Sequence, residues 1–165
     1  MNLSARQLRE PDFAETLSGI LVECGLEARY LELEITESVT MHDPEEMRQL
    51  LKDLRELGVS ISIDDFGTGQ SSLAYLKRFH IDYLKIDRSF VHGINVDATD
   101  ESIVRSIIAL GKNLNLIVIA EGVESEGQRA FLEAEACDEM QGFLYCRPKP
   151  PQELQTQFAS MTQVA

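Results

Sequence analysis

The sequence is short of positive charge. Lys and Arg together number 15 against 28 Asp and Glu, for a formal net charge of −13. Such a chain is a poor electrostatic match for polymeric nucleic acid or an anionic membrane. A phosphate ligand would need positive charge from elsewhere, and a divalent metal ion is the obvious source. Cysteine is scarce too. Cys24, Cys137 and Cys146 form an odd set with no metal-ligand spacing, the pattern of free thiols in a reducing cytoplasm. No apolar run approaches the roughly 20 residues of a membrane span, and the opening Met1 to Arg6 stretch lacks an apolar signal core. The expectation is a cytoplasmic, soluble chain whose parent protein can be membrane-anchored elsewhere. No linker, low-complexity tract or block of like charge divides the sequence. Its 165 residues therefore read as one domain, long enough to remove about 70% of the unfolded surface from water.

What is present alternates. Phe13, Leu17, Ile20 and Leu21 share one helical face, and Gly25 stops that helix. Tyr30 to Thr36 reads as a strand, with Leu31, Leu33 and Ile35 on one face and Glu32 and Glu34 on the other. Asp43 caps a helix with Pro44 in its first turn and Glu46 closing the box. Met47, Leu50, Leu51, Leu54 and Leu57 form its buried stripe, and Gly58 ends it. Strands follow at Val59 to Ile63, through Leu84 and Ile86, at Leu116 to Ala120 and at Met140 to Tyr145, with a stub at Asn2-Leu3. Helices are expected from about Ser72, around Ile103 to Ile108, from Ser125 with Gln128 toward Ala136, and near Glu153 to Met161. Alternating strands and helices mean βα units around a parallel sheet. Five strands and a stub fall short of an eight-stranded barrel of about 250 residues. The sheet is either open and doubly wound or part of a barrel.

The acidic residues gather at strand ends. Glu34 and Glu37 end the first strong strand, Asp64 and Asp65 the second, Lys85 and Asp87 the third, and Glu121 and Glu124 the fourth; Gln141 lies in the last. Carboxyl ends of parallel strands converge on one rim, where ligands bind. Two unit charges about 4 Å apart at an effective dielectric near 20 repel by roughly 4 kcal/mol. Such a cluster needs protons or cations to neutralise it. Hard oxygen ligands with one amide suit Mg²⁺ or Mn²⁺, and adjacent Asp64 and Asp65 can each serve a different ion, as in-line phosphoryl displacement requires. Singly, these residues have plainer uses: Asp87 caps the turn at Arg88-Ser89, and Glu124 precedes a helix. Gly67-Thr68-Gly69 lacks the third glycine and lysine of phosphate loops and reads as a flexible loop. His42, His80 and His92 are scattered and carry no assigned role. Phe79, Tyr83 and Phe143 are assigned to the core.

Six segments, in order, resemble a known family. They are Asn2-Leu3-Ser4, Glu34-Ile35-Thr36-Glu37-Ser38, Asp64-Asp65-Phe66-Gly67-Thr68-Gly69, Lys85-Ile86-Asp87, Ala120-Glu121-Gly122-Val123-Glu124 and Gln141-Gly142-Phe143. The family is that of the EAL-domain cyclic di-GMP phosphodiesterases of bacteria. The resemblance spans Asn2 to about Pro151. It implies an α/β fold, a TIM-like (β/α)8 barrel of the EAL type with an antiparallel first strand. Here that barrel is expected to be incomplete, with five to six βα units, and 1–165 forms a single partial EAL domain. It implies opening of cyclic di-GMP to linear pGpG with two Mg²⁺ or Mn²⁺ ions. By motif, Asn2, Glu34, Asp64 and Asp65 look like metal ligands. Lys85 looks like the residue that contacts the attacking water or scissile phosphate. Glu121 looks like a metal-site carboxylate and general base. Glu37 looks like the holder of the loop from Asp65 to Ser72. Glu124, Gln141 and Asp87 look like supporting residues.

Two departures from the pattern stand out. The family's Glu-Ala-Leu signature does not occur, and Leu132-Glu133-Ala134 is a helical coincidence. The chain thus resembles the C-terminal two-thirds of such a domain, with Met1 just before its third strand. Gln70 stands where the family usually has an aromatic residue, in a loop linked there to dimerisation and activation. The resemblance implies cyclic di-GMP as partner and a homodimer. The competing function is a non-catalytic cyclic di-GMP receptor or protein-interaction module. A phospho-acceptor receiver domain also uses an acidic pair and a lysine. Its lysine belongs on a late strand, whereas Lys85 is one strand after Asp64-Asp65.

Overall fold

The computed structural model describes residues 1–37, 44–69, 76 and 78–154. Six strands form one parallel sheet: β1 (Asn2–Leu3), β2 (Glu32–Thr36), β3 (Ser60–Phe66), β4 (Tyr83–Ile86), β5 (Ile117–Glu121) and β6 (Glu139–Gln141). Among the described residues the helices include α1 (Phe13–Cys24), α2 (Pro44–Leu57), α3 (Arg88–Gly93), α4 (Ala98–Leu114) and α5 (Glu126–Ala134). The sheet order is β1-β2-β3-β4-β5-β6 with no reversal. A doubly wound sheet reverses its order at a switch point. Sequential parallel strands with crossovers of one hand place their helices on one side, as in a barrel. This chain is an incomplete (β/α) barrel, and the open doubly wound alternative falls.

Strand alternation divides the sheet into two chemically different faces. Leu33, Ile35, Ile61, Ile63, Leu84, Ile86, Val118 and Ala120 lie in register on one face, all at 1% exposure or less. The helices cover that face with Leu17, Leu21, Leu51, Leu54, Val104, Ile108 and Leu132. The other face carries Asn2, Glu34, Ser62, Asp64, Lys85, Glu121 and Gln141. Parallel sheets normally bury both faces under apolar layers. A polar row on one face marks it as the lining of a site.

Local chemistry sets the element ends. Gly25 ends α1 in the left-handed region at φ 64°, where its N–H meets the Leu21 and Val22 carbonyls. Asp87 caps α3, accepting from the Ser89 N–H. Asp97 caps α4, and Ser125 with Gln128 forms the expected capping box on α5. At the opposite rim, Asp82 and Asp138 accept from the N–H groups of Ile61 and Val118 at 3.0 and 2.9 Å. Each carboxylate thereby pins the start of a neighbouring strand.

Several sequence expectations are corrected. Residues Ala28–Tyr30 form a 3-10 turn, so β2 starts later than Tyr30. β3 runs on through Asp64 and Asp65 to Phe66. α3 was not expected as a helix. The last strand stops at Gln141; Gly142 then accepts backbone N–H bonds from Tyr145 and Cys146, which turns the chain. Ile20 is half exposed, as is Phe143, and Phe79 alone of the three aromatics assigned to the core is fully buried. The cap at Asp43, the helix from Ser72, Gln70 and most of the helix to Met161 lie outside the described residues. All three cysteines are free thiols, and burial pushes the Cys137 thiol up to about 11. No helix among the described residues is long and apolar enough to cross a membrane.

β1 and β6 are the sheet edges, and unpaired edges template association. The chain is therefore expected to dimerise or swap elements at micromolar concentration, which light scattering will read. A monodisperse monomer melting above about 65 °C would refute this.

Candidate functional site

Lys85 is the centre of the polar face. It stands on β4 at 3% exposure, and its ammonium meets three carboxylates from three other strands. The distances are 2.6 Å to Glu121 Oε1, 3.1 Å to Glu34 Oε1 and 3.4 Å to Asp64 Oδ1. The strand registers make this convergence. Thr36 on β2 lies opposite Asp64, Lys85 opposite Ile119, and Glu121 opposite Gln141. Burial alone pulls the Lys85 ammonium pKa down, but the Glu121 and Asp64 charges outweigh it and hold the pKa above the usual lysine range. Lys85 is fully charged at neutral pH. Burial pushes the Glu121 carboxyl up, Lys85 pulls it back, and Asp64 and Glu34 push it up again; the net shift is upward.

Asp65 is held beside this cluster in an unusual backbone state, with φ 55°. Its N–H donates to Asp64 Oδ1 at 3.0 Å. Burial, then the charges of Asp64 and Asp87, raise its carboxyl above the usual range. Asp87 moves the other way. Burial opposes the shift, but the Ser89 hydroxyl and N–H both donate to it and lower its pKa. Neighbouring carboxylates pushed in opposite directions are a mark of functional sites.

The loop after β3 is tied to β2. Glu37 is buried at 6%, and its Oε2 accepts from the Gly67 N–H at 3.1 Å. Gly67 takes φ 98°, and a Cβ there would lie 2.9 Å from the Phe90 ring; one at Gly69 would lie 2.9 Å from Glu37 Oε1. Gly67 is required by its positive φ as well as by this close approach, whereas a side chain at Gly69 would only have to displace the Glu37 carboxylate. The segment read from sequence as a flexible loop is held in place as far as Gly69.

The predicted residues therefore separate. Glu34, Asp64, Lys85 and Glu121 meet directly. Asp65 and Asp87 sit next to them. Asn2 pairs with Glu34 across the β1–β2 ladder. Glu37 acts through the loop, and Glu124 and Gln141 line a rim pocket that also includes Glu121. Sequence reasoning missed Arg88 and His92 in that pocket, although Arg88 directly follows Asp87 and His92 stands 3.8 Å from Glu124.

One ammonium against three carboxylates leaves negative charge in excess. No group of three His, Cys, Asp or Glu among the described residues is gathered for a metal ion as it stands, because the carboxylates turn onto Lys85. Their chemistry nevertheless fits a hard divalent cation, being all oxygen.

The comparisons agree on the class. The family described as EAL domain matches residues 1–148, and the chain belongs to that family. It is 46% identical over 154 residues to the Pseudomonas aeruginosa protein named bifunctional diguanylate cyclase/cyclic di-GMP phosphodiesterase MucR, covering 93% of this chain and 22% of that one. The solved MucR phosphodiesterase in complex with c-di-GMP superposes with TM-score 0.89, covering 93% of this chain and 62% of that one. The EAL domain of Mycobacterium smegmatis DcpA gives TM-score 0.90 at 44% identity, covering 96% and 71%. Klebsiella pneumoniae BlrP1, solved as a manganese/cy-diGMP complex, gives 0.82 at 34% identity, covering 90% and 38%. The chain spans about a fifth of the length of the curated relatives it matches.

The Lys85→Met variant tests the cluster. Without the ammonium the three carboxylates repel, and the Glu121 carboxyl, already raised by burial, loses the lysine that pulls it back down. The loss is therefore largest at pH 7 and shrinks toward pH 5, where protons replace the lysine. A drop of about 5–10 °C in melting temperature at pH 7, smaller at pH 5, is expected. Melting equal to the parent at both pH values would contradict the role given to Lys85.

Proposed function

We propose that the chain is the site-bearing part of a metal-dependent phosphodiesterase that opens cyclic di-GMP to linear pGpG. The convergence of Glu34, Asp64 and Glu121 on Lys85 carries this reading. The names of MucR and the c-di-GMP complexes of MucR and BlrP1 support the substrate, and the manganese in the BlrP1 complex supports the metal. Residues 1–165 act as one partial EAL domain, in the cytoplasm and as a homodimer.

Asn2, Glu34, Asp64, Asp65 and Glu121 would hold two Mg²⁺ or Mn²⁺ ions. When bound, such ions neutralise the phosphate and lower the pKa of a water. The protein's own groups do the rest. Lys85, charged and already placed, stabilises the negative charge that builds on the phosphate in the transition state without reorganising first. Glu121, whose carboxyl pKa burial raises above the usual range, takes the proton of the attacking water. Water adds to phosphorus, the bond to the 3′ oxygen breaks, that oxygen takes a proton from solvent to become a hydroxyl, and pGpG keeps the phosphate at its 5′ end. Glu37 holds the loop that carries Gly67 and so fixes the end of β3 beneath Asp64 and Asp65. Asp87, Glu124 and Gln141 complete the rim.

Turnover of cyclic di-GMP with Mn²⁺, resolving pGpG chromatographically, tests this beside Asp64→Ala. The variant should lose about a hundredfold or more in rate. Product formed equally by the variant would remove the cluster from the mechanism. Binding without product in the parent chain would make it a receptor instead.

A further inference from the structure

We infer that Thr68 is a positioning residue: by gripping the Asp65 carbonyl it fixes the backbone bend that aims the Asp65 carboxylate at the same rim as Asp64. What this does for metal binding rests on the function proposed above. Successive residues of a regular strand point to opposite faces of the sheet. Asp64 and Asp65 are neighbours on β3, so a regular strand would bring only one of them to the rim. Asp64 is there, 3.4 Å from the Lys85 ammonium. Regular geometry would turn Asp65 to the other side, into the aliphatic layer that holds Ile63 and Phe66.

A bulge in β3 avoids this. Ile63 lies opposite Leu84 and Phe66 opposite Ile86, so three steps along β3 match two along β4. The extra residue returns Phe66 to the aliphatic side, where it is buried like Ile63. Asp65 sits at the bend with φ 55°, and its carboxyl lies within hydrogen-bonding reach of Asp87, just past β4. Bulges beside active sites re-aim side chains in this way. The left-handed conformation is costly for any residue with a Cβ, and it persists only where the surroundings over-determine it. Here the Thr68 hydroxyl donates to the Asp65 carbonyl at 2.9 Å, and the Thr68 N–H donates to the same oxygen at 3.3 Å. The Asp65 N–H donates to Asp64 Oδ1 at 3.0 Å. Both polar ends of the Asp65 backbone are thus engaged. Glu37 holds the following Gly67 N–H from β2, while Thr68 closes the bend from within. Thr68 is exposed, so trimming it opens no cavity, and its hydroxyl acts through the bend.

The test compares the parent chain with Thr68→Val, which keeps the shape and the N–H but removes the hydroxyl, and with Thr68→Ser, which keeps the hydroxyl. The first readout is NMR without metal or substrate, following the Asp65 Cα and Cβ carbon shifts, which report backbone conformation. The valine variant should move them toward the extended range, and the serine variant should leave them at the parent values. The second readout is calorimetric Mn²⁺ binding, which should weaken about three- to tenfold in the valine variant and stay within about twofold in the serine variant. Excess Mn²⁺ should then restore cyclic di-GMP turnover in the valine variant, as a general loss of fold would not allow. Unchanged Asp65 shifts in the valine variant would overturn the inference, and so would equal losses in both variants. Failure of the parent chain to bind Mn²⁺ would overturn the proposed function, while Asp65 shifts that move only in the valine variant would still establish the grip of Thr68.

Discussion

An ammonium group taken out of water and placed among three carboxylates is the constraint on which this structure depends. Lys85 is almost fully buried, and such a charge is tolerated only when partners meet it closely. Glu121, Glu34 and Asp64 do so at 2.6 to 3.4 Å. Each comes from a different strand, so the lysine ties together β2, β3, β4 and β5. The carboxylates need it equally, because their mutual repulsion would otherwise spread the rim. The same balance that lets the rim fold leaves it net negative and receptive to further cations.

Around this centre the fold divides its labour between two sides of one sheet. The aliphatic side packs against the helices and carries the hydrophobic stabilisation. The polar side contributes little to that core and is free to hold costly groups. The loop after β3 links the two. Glu37 reaches from the end of β2 to the Gly67 N–H, while Gly67 itself closes against Phe90 beneath. The helix side thereby braces the backbone next to Asp64 and Asp65.

Much of this was legible in the sequence, for reasons that differ by residue. Alternation in Leu33, Glu34 and Ile35 announces a strand with one wet face, and Ser125 with Gln128 announces a helix start. Both signals are local, and both hold. Carboxylates at successive strand ends pointed to a shared rim because parallel strands all end on the same side. The sheet order was not legible, since nothing local says which strand lies beside which. Nor was the pairing of Lys85 with Glu121, which depends on register across strands. Phe143 was misassigned to the core for a related reason. Hydrophobicity says that a residue prefers burial, while exposure depends on what the fold brings over it. The Asp82 and Asp138 carboxylates, which fasten neighbouring strands from below, carry no sequence signal beyond a charge just ahead of a strand.

The alternation across the sheet also bears on how the molecule can go wrong. Ligand-bearing and aliphatic residues follow one another along each strand, so sliding a strand by one position exchanges the two sets completely. Glu34 would enter the oily layer and Leu33 or Ile35 would enter the rim. A slip thus removes the site and destroys the core in the same step. Errors of assembly are all-or-none: a chain aligned well enough to survive proteolysis is also aligned well enough to gather its carboxylates. Quality control of the fold and quality control of the chemistry become a single checkpoint.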